Sequence, residues 1–589
     1  LSEEASATTP GVHQAAWAEV FIASLVRAGA RRAVVSPGSR STPLVLAVLG
    51  QANLLDRVDV VDERVAGFVA LGIARAEGRA PLLICTSGSA VANWHPAVVE
   101  ADIAGIPLVL LSADRPAELV GSGANQTIDQ ARLFGSHVRT SVDCGPGREG
   151  VASLRAAARI ATRVWAAAHW PHSGPVHCNL RFDKPLEPSS EAAARSAARA
   201  AAEVTARAPQ VVVPKQLIAP AAVARLAQRI RRAERPLFVG GPRPWAPRAA
   251  PAVRAIAARV PVLGDPGSWW QGAGGLEAGD LVLESGWLAR HPPDLVIQVG
   301  PAPTSSAWEG QLARSGAELV IANGPAWADP ASLAQEVWMG DPAALLRALA
   351  RHLGSEPAVG NAATWLERLR DIDRVACGVR DDDLSRHPPV SELEAVIVAA
   401  DAVPRGGVLA LGNSLAIRHA AVGGIVSKRL VVATQRGASG IDGLIAGVAG
   451  SVRALAGVGV LVLGDLSALH DLGGLAAARH AVGAGRLVIV VLDNAGGRIF
   501  ERLPVARTVP DLRPWTTPDA GVDLVAVARG LGLRAIDVDT AAALRRALRA
   551  LLRGRDPVGV IRIRVEPHDA ADRSARLRRA VDAALAGLD

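Results

Sequence analysis

Short apolar runs recur along the chain from about Trp17 onward, separated by Ala-, Leu- and Arg-rich stretches whose apolar positions return with helical period. A parallel sheet wrapped by helices needs this alternation, because strands covered on both faces are continuously apolar. Arg32–Ser36 (RAVVS), Pro81–Thr86 (PLLICT) and Pro107–Ser112 (PLVLLS) read as buried strands. Each is followed by a turn containing Gly, Ser or Pro, so ligand groups are expected at the carboxyl ends of the strands.

The pattern divides the chain in three. A first domain, 11–190, closes after the strand-like GPVHCNLRF, and LEPSSEAAARSAARAAAEVTARAP follows as a low-complexity linker or surface helix. A second α/β block, 209–355, carries PLFVGGP, DLVIQVG and ELVIANG. The third, 388–570, contains VLALGNS, LVVAT, GVLVLGD and LVIVVLDN before a final Arg/Ala-rich helical tail. The length of 589 residues suits about three domains. The expected fold is therefore α/β, with three domains, each a mainly parallel sheet flanked by helices.

Composition narrows the function classes. Half the residues are hydrophobic and 20% are charged, which excludes a disordered or fibrous chain. The net charge of +8 comes from dispersed Arg with no basic tract interleaved with aromatics, so it predicts an Arg-rich solvated surface and no nucleic-acid partner. Cys85, Cys144, Cys178 and Cys377 lack metal-ligand spacing and read as free thiols in a reducing compartment. No apolar stretch reaches the roughly 18–20 residues of a membrane span, and LSEEASATTP is acidic where a secretory signal is basic. A cytoplasmic protein without a membrane anchor is expected.

The strongest local chemistry lies in GVLVLGDLSALHDLGGL and RLVIVVLDNAGGRIF. Two apolar strands end in Asp465 and Asn494. A carboxylate, an amide oxygen and the Gly496 carbonyl are hard ligands that suit Mg²⁺ or Mn²⁺. Gly464, Gly496 and Gly497 let backbone amides approach phosphates. Each half alone is an ordinary structural turn. Paired, they resemble the thiamine-diphosphate signature. In VDVVDERVAGFVALGIARA, Glu63 ends a strand and opens an apolar helix. In isolation it reads as a helix-terminal charge.

Four further strings, VVSPGSRSTPLVLAV, CTSGSAVANWHPAVVEAD, LSADRPAELVGSGANQTIDQ and TQRGASGIDGLIAG, resemble the 2-succinyl-5-enolpyruvyl-6-hydroxy-3-cyclohexene-1-carboxylate synthases. The resemblance implies thiamine diphosphate with Mg²⁺ or Mn²⁺. It also implies decarboxylation of 2-oxoglutarate with addition of the succinyl fragment to isochorismate in menaquinone biosynthesis, and a homodimer or homotetramer. It assigns Glu63 to the aminopyrimidine ring of the cofactor, Ile441 to a wedge beneath it, and Leu466 and Ile499 to positions beside it. Arg40, Arg115, Arg418 and Arg436 become clamps for two dicarboxylates, which planar guanidinium forks fit. Ser39, Asn125, Gln126 and Ser414 become polar contacts to substrate, and Phe500 and Leu503, with Ile499, walls of the isochorismate pocket. The plain alternatives are surface charge for the arginines, turn or cap chemistry for the polar residues, and core packing for the apolar ones.

The chain departs from the family at Ser306 and Ala307, where relatives often carry basic residues, and Arg498 is expected to restore that charge. Gln435 and Trp94 replace the usual Asn and Tyr. Two rival readings are an acetolactate-synthase-like enzyme carrying FAD and a non-catalytic binding protein on the same scaffold. The absence of a dinucleotide fingerprint opposes the first, and the joint presence of Glu63, Asp465 and Asn494 the second.

Overall fold

Three all-parallel sheets carry the chain in the computed structural model, which describes residues 10–242, 246–268, 270–324, 326–354, 358–386, 390–425, 430–509 and 521–588. Contacts divide it into two compact units. One takes the chain up to Pro214 together with Arg436–Ala456 and Asp471–Ala484; the other takes Lys215–Gln435, Gly457–His470 and the chain from Gly485 onward. The acidic N-terminal segment and the expected domain start at residue 388 fall outside the described residues.

In the first unit, β1 (Arg32–Val35), β2 (Asp56–Asp59), β3 (Leu82–Cys85), β4 (Leu108–Asp114), β5 (Ser141–Cys144) and β6 (Pro175–Arg181) pair in the order β2-β1-β3-β4-β6-β5. The runs read as buried strands are β1, β3 and β4, and β3 and β4 are buried along their whole length. The Ala-rich segment after the first domain is a docked helix, Glu191–Thr205, rather than a linker. Its Ala193, Ala197 and Ala201 recur every fourth residue and enter the same core as the helix Pro10–Ala28, and Ser190 caps it by accepting from the Ala193 amide.

The helix Glu63–Glu77 packs against the helix Leu444–Leu455 within this unit, and small residues permit the closeness. A methyl group added at Gly72 would overlap the Gly447 carbonyl, and one at Gly450 the Val69 carbonyl. Ser451 Oγ donates to the Gly72 carbonyl at 2.9 Å across this contact.

The second unit holds two sheets. β7 (Pro236–Gly240), β8 (Val262–Gly264), β9 (Leu295–Val299), β10 (Glu318–Ala322) and β11 (Glu336–Trp338) pair as β11-β10-β9-β7-β8. β12 (Val408–Leu411), β13 (Val431–Thr434), β14 (Val458–Gly464), β15 (Arg486–Asp493), β16 (Arg534–Val538) and β17 (Val558–Arg564) pair as β13-β12-β14-β15-β17-β16. The last two strands add to the expected Arg/Ala-rich helical tail, whose helices Ala541–Arg553 and Asp569–Leu585 flank β17. In β17 the arginines of VGVIRIR interrupt the apolar run that marks a buried strand, and Arg562 and Arg564 instead pair with Asp537 on the neighbouring β16.

All four cysteines are free thiols, and among the described residues no helix is long and apolar enough to cross a membrane. The close helix contact makes a prediction. Gly72→Ala overpacks it, a class of change that costs about 1–3 kcal/mol, so its thermal midpoint falls below that of wild type. Gly145→Ala, where an added methyl meets nothing within 4 Å, leaves the midpoint unchanged. Equal midpoints for the two variants in a calorimetric scan would contradict the packing described.

Candidate active site

The first unit carries one group of site residues. Asp62 caps the helix Glu63–Glu77, its Oδ1 accepting from the amides of Arg64 and Val65 at 2.8 and 3.2 Å. Capping therefore belongs to Asp62, and the neighbouring Glu63 carboxylate is half-buried. It lies close enough to Cys85, at the end of β3, to add to the burial that pushes that thiol well above its ordinary value.

Arg40 sits in a short 3₁₀ turn, Ser39–Ser41, where Ser39 is exposed and Arg40 buried. Arg40 Nη1 donates to the Phe182 carbonyl at 2.7 Å, while its buried Nε makes no hydrogen bond. Burial, and then the charge of Arg115, lower its pKa, with Asp183 and Asp114 opposing. Two guanidiniums within electrostatic reach of each other, one with an unsatisfied donor, suit an anionic ligand. Arg115 is held by its Nε on the Asn125 carbonyl, by its amide on Asp114 Oδ1 at 2.7 Å, and by Arg181 Nη1 on its own carbonyl at 2.9 Å. Behind it, Asp114 takes Arg181 at 3.0 Å and the Asn179 amide at 2.8 Å. Asn125 and Gln126 are exposed; Gln126, at φ 55°, donates from Nε2 to the Ser87 carbonyl at 2.8 Å and accepts from Ser87 Oγ at 3.0 Å.

The loop after Arg436 is fixed by Glu100, which is 2% exposed. Its carboxylate accepts from the amides of Gly437, Ala438 and Ser439 at 2.9, 2.7 and 3.4 Å and pairs with Arg75 at 3.3 Å. Arg436 is half-buried there, and Ile441 is 37% exposed, which removes the core-packing alternative for that residue.

The second unit carries the other group. Asp465 follows β14 directly, its Oδ1 accepting from the Leu466 amide and its Oδ2 from the Gly496 amide, both at 2.8 Å. Burial raises its pKa to about 6 against those two bonds, with Asp493 and Glu392 adding to the rise. Asn494, 5% exposed, donates from Nδ2 to Glu392 Oε1 at 2.8 Å, and its buried Oδ1 has no partner. Ala495 (φ 59°) and Gly496 (φ 120°) turn the chain back. A cavity of about 380 Å³ opens on Asp465, Leu466 and Gly496.

Arg498 does not supply the expected extra charge. It donates to the Asn494 carbonyl at 3.0 Å and pairs with Glu501 at 2.7 Å, so it staples the turn and its charge is neutralised. Gly497 caps the 3₁₀ turn Arg498–Arg502. Along it Ile499 is half-buried, while Phe500 and Leu503 are 37% and 44% exposed, so the core alternative fails for those two.

Ser414 holds φ 67°, ψ −125°, a conformation that costs a non-glycine residue about 1–3 kcal/mol, at the start of the helix Leu415–Gly423. Its carbonyl accepts from Arg418 Nη1 at 2.7 Å. Near the departures at Ser306 and Ala307, Ser305 is bonded to Asp280, whose carboxyl is raised by burial and drawn down by Arg502 and Arg418.

The buried, unpartnered Asn494 oxygen, in the turn whose Gly496 amide donates to Asp465, is what a cation site leaves when only its protein ligands are considered, since such atoms are otherwise paired. Among the described residues no three His, Cys, Asp or Glu side chains cluster for a metal, and the candidate donors are the carboxylate, the amide oxygen and the Gly496 carbonyl. That oxygen set, with amides and the glycines Gly464 and Gly497 for phosphates, fits Mg²⁺ and a diphosphate. Glu100, Asn179, Arg181 and Glu392 escaped the reading of the sequence, although Glu100 lies within one of the four family strings.

The family described as thiamine pyrophosphate enzyme, N-terminal TPP binding domain, matches residues 16–133. The crystal structure of benzoylformate decarboxylase from Polynucleobacter necessarius superimposes with a TM-score of 0.68 at 15% identity, covering 94% of this chain and 98% of that one, which establishes the shared fold. Fold and site together define a thiamine-diphosphate enzyme that works with a divalent cation. The 2-succinyl-5-enolpyruvyl-6-hydroxy-3-cyclohexene-1-carboxylate synthase of Sorangium cellulosum (strain So ce56) is 39% identical over 95% of this chain and 94% of its own. Those of Roseiflexus sp. (strain RS-1) and Myxococcus xanthus (strain DK1622) are 35% and 36% identical, each over 97% of this chain and over 99% and 97% of their own. The chain belongs to this synthase family.

The acidic pair beside these residues has a measurable signature. Burial, then the charge of Asp280, raise Glu284 from its ordinary 4.5 to about 7, against Arg502 and Arg578. A carboxyl raised on folding binds more protons folded than unfolded, so its contribution to stability falls as pH rises from about 4.5 to about 7. Glu284→Gln removes that dependence: its thermal midpoint gains on wild type steadily across the window. A gain that shrinks with rising pH would reverse the assignment.

Proposed function

We propose that the chain decarboxylates 2-oxoglutarate and joins the succinyl fragment to isochorismate, releasing CO₂ and forming 2-succinyl-5-enolpyruvyl-6-hydroxy-3-cyclohexene-1-carboxylate for menaquinone biosynthesis. The observation that carries it is the orphaned Asn494 oxygen in the turn whose Gly496 amide donates to Asp465, in a chain that belongs to this synthase family. In this reading residues 11–190 form the pyrimidine-binding domain, 209–355 a central domain and 388–570 the diphosphate-binding domain. The protein is a cytoplasmic homodimer or homotetramer, for which light scattering is the measurement.

Thiamine diphosphate, when bound, supplies the ring that takes up the electrons freed as CO₂ leaves. Asp465, Asn494 and the Gly496 carbonyl hold the cation, and the amides around Gly464 and Gly497 receive phosphate oxygens. Leu466 and Ile499 would line the cofactor, and Ile441 would offer it an exposed apolar side chain. Glu63, with Asp62 doing the capping, shares a proton with the pyrimidine nitrogen. Arg40 and Arg115 receive substrate carboxylates with Ser39, Asn125 and Gln126 beside them, and Arg418, Arg436 and Ser414 complete the polar contacts. Phe500 and Leu503 present apolar surface to the ring of the acceptor and exclude water from it.

The deciding experiment mixes protein, thiamine diphosphate, Mg²⁺ and 2-oxoglutarate with and without isochorismate and identifies the product by mass. A joined product is expected; CO₂ alone refutes the acceptor, and a yellow, flavin-bearing preparation favours an acetolactate-synthase-like enzyme. Glu63→Gln lowers kcat by about 10²–10⁴-fold, the usual range for losing a proton-transfer group. Arg40→Gln raises KM for a dicarboxylate substrate with a smaller change in kcat. An unaltered kcat in the first variant removes Glu63 from the chemistry.

A further inference from the structure

The second unit contains a buried acid whose one hydrogen bond to Asn494 has so far been given no role. Glu392 is the first residue of the helix Glu392–Ala402, and its side chain is 2% exposed. A buried carboxylate is costly unless its oxygens are engaged, and a helix N-terminus offsets only part of that cost. One oxygen, Oε1, accepts from Asn494 Nδ2 at 2.8 Å. The other, Oε2, lies 3.3 Å from His419 Nε2, a close polar contact without hydrogen-bond alignment. Asp465 feels the charge of Glu392 as well. Helix capping does not explain it, because Ser391 caps this helix by accepting from the Glu394 amide at 3.0 Å.

The consequence lies in the asymmetry of the Asn494 amide. An ionised carboxylate only accepts, so the face of the amide turned to Glu392 must be the NH₂, and the oxygen must face the other way. That oxygen is the buried atom with no partner. The bond to Glu392 chooses between the two orientations of the Asn494 side chain, and the wrong one would present an NH₂ to a cation.

We propose that Glu392 is a positioning residue for the cation site: its carboxylate locks the Asn494 amide with Oδ1 turned toward the cation. His419 lies against the opposite oxygen of Glu392. The inference rests on the proposed cation-and-diphosphate reading of Asp465 and Asn494. It assigns to Glu392 no contact with substrate or cofactor.

Manganese, read by electron paramagnetic resonance with thiamine diphosphate present and both substrates absent, is the probe. Wild-type protein that fails to bind Mn²⁺ under these conditions sinks the cation reading and this inference together. Given binding by wild type, Glu392→Gln can either accept or donate, so it releases the amide. Its Mn²⁺ dissociation constant is expected to rise by about 10–100-fold, the range usual for loss of a group that orients a metal ligand. The exchange E392Q/N494D restores one donor facing one acceptor and offers an oxygen in either orientation, so affinity returns to near the wild-type value. A structural role alone would be damaged further by the second change. Glu392→Gln with wild-type Mn²⁺ affinity, or an exchange variant as weak as Glu392→Gln, overturns the proposal and leaves the cation site standing. If Glu392→Gln does not fold by circular dichroism, the exchange variant decides on the same criterion.

Discussion

A carboxylate buried away from water must find cations or backbone amides, and the loops that bear the site residues are shaped by acids meeting that demand. Asp465 gathers the amides of Leu466 and Gly496, bringing the ends of two neighbouring strands to one point. Glu100 gathers three successive amides after Arg436. Asp471, 1% exposed, takes those of Ile445 and Ala446 at the start of the helix Leu444–Leu455, and burial raises it to about 6. Each acid fixes a backbone segment through its amides, leaving the side chains of that segment free for other contacts.

The same economy explains where the backbone is strained. Of the six non-glycine residues at positive φ among the described residues, Gln126, Ser414 and Ala495 lie in loops carrying site residues, whereas Ser332 and Ala456 do not. Such conformations persist only where surrounding bonds over-determine them. Gln126 is held by reciprocal bonds with Ser87, Ser414 by its Arg418, and the turn at Ala495 by Arg498 across it. Arg498 is informative here, because a guanidinium that the sequence offers to a substrate is drawn instead to backbone carbonyls and Glu501. An arginine two residues beyond Gly496 is close enough to close the turn, and closing it uses the charge.

Family membership and geometry carry different parts of the functional reading. Identity of 39% over nearly the whole chain places it among the synthases. Geometry adds that Asn494 has an oxygen with nothing to bind, that Arg40 and Arg115 feel each other's charge, and that Ile441, Phe500 and Leu503 are exposed apolar side chains. A core composed for stability alone would bury those three and satisfy that oxygen.

The α/β character and the main buried strands were legible in the sequence because a parallel strand covered on both faces leaves an uninterrupted apolar run, as in PLVLLS or LVIVVLDN. Asp465 and Asn494 were legible for the same reason, since each directly follows such a run. Between linker and surface helix the sequence left Glu191–Thr205 open because an Ala face is too weakly apolar to announce its partner, and β17 was missed because its arginines are neutralised only by Asp537 on the next strand. Glu392 and Glu100 lay beyond reach altogether: their partners are 102 and 337 residues away, and no period or motif links them. The sequence by itself determined the elements and the residues attached to their ends, because those follow from local periodicity. Which acid would answer which amide, and so which way Asn494 faces, was decided only by the tertiary structure, because a buried polar group is satisfied by whatever the folded chain brings within 3 Å of it.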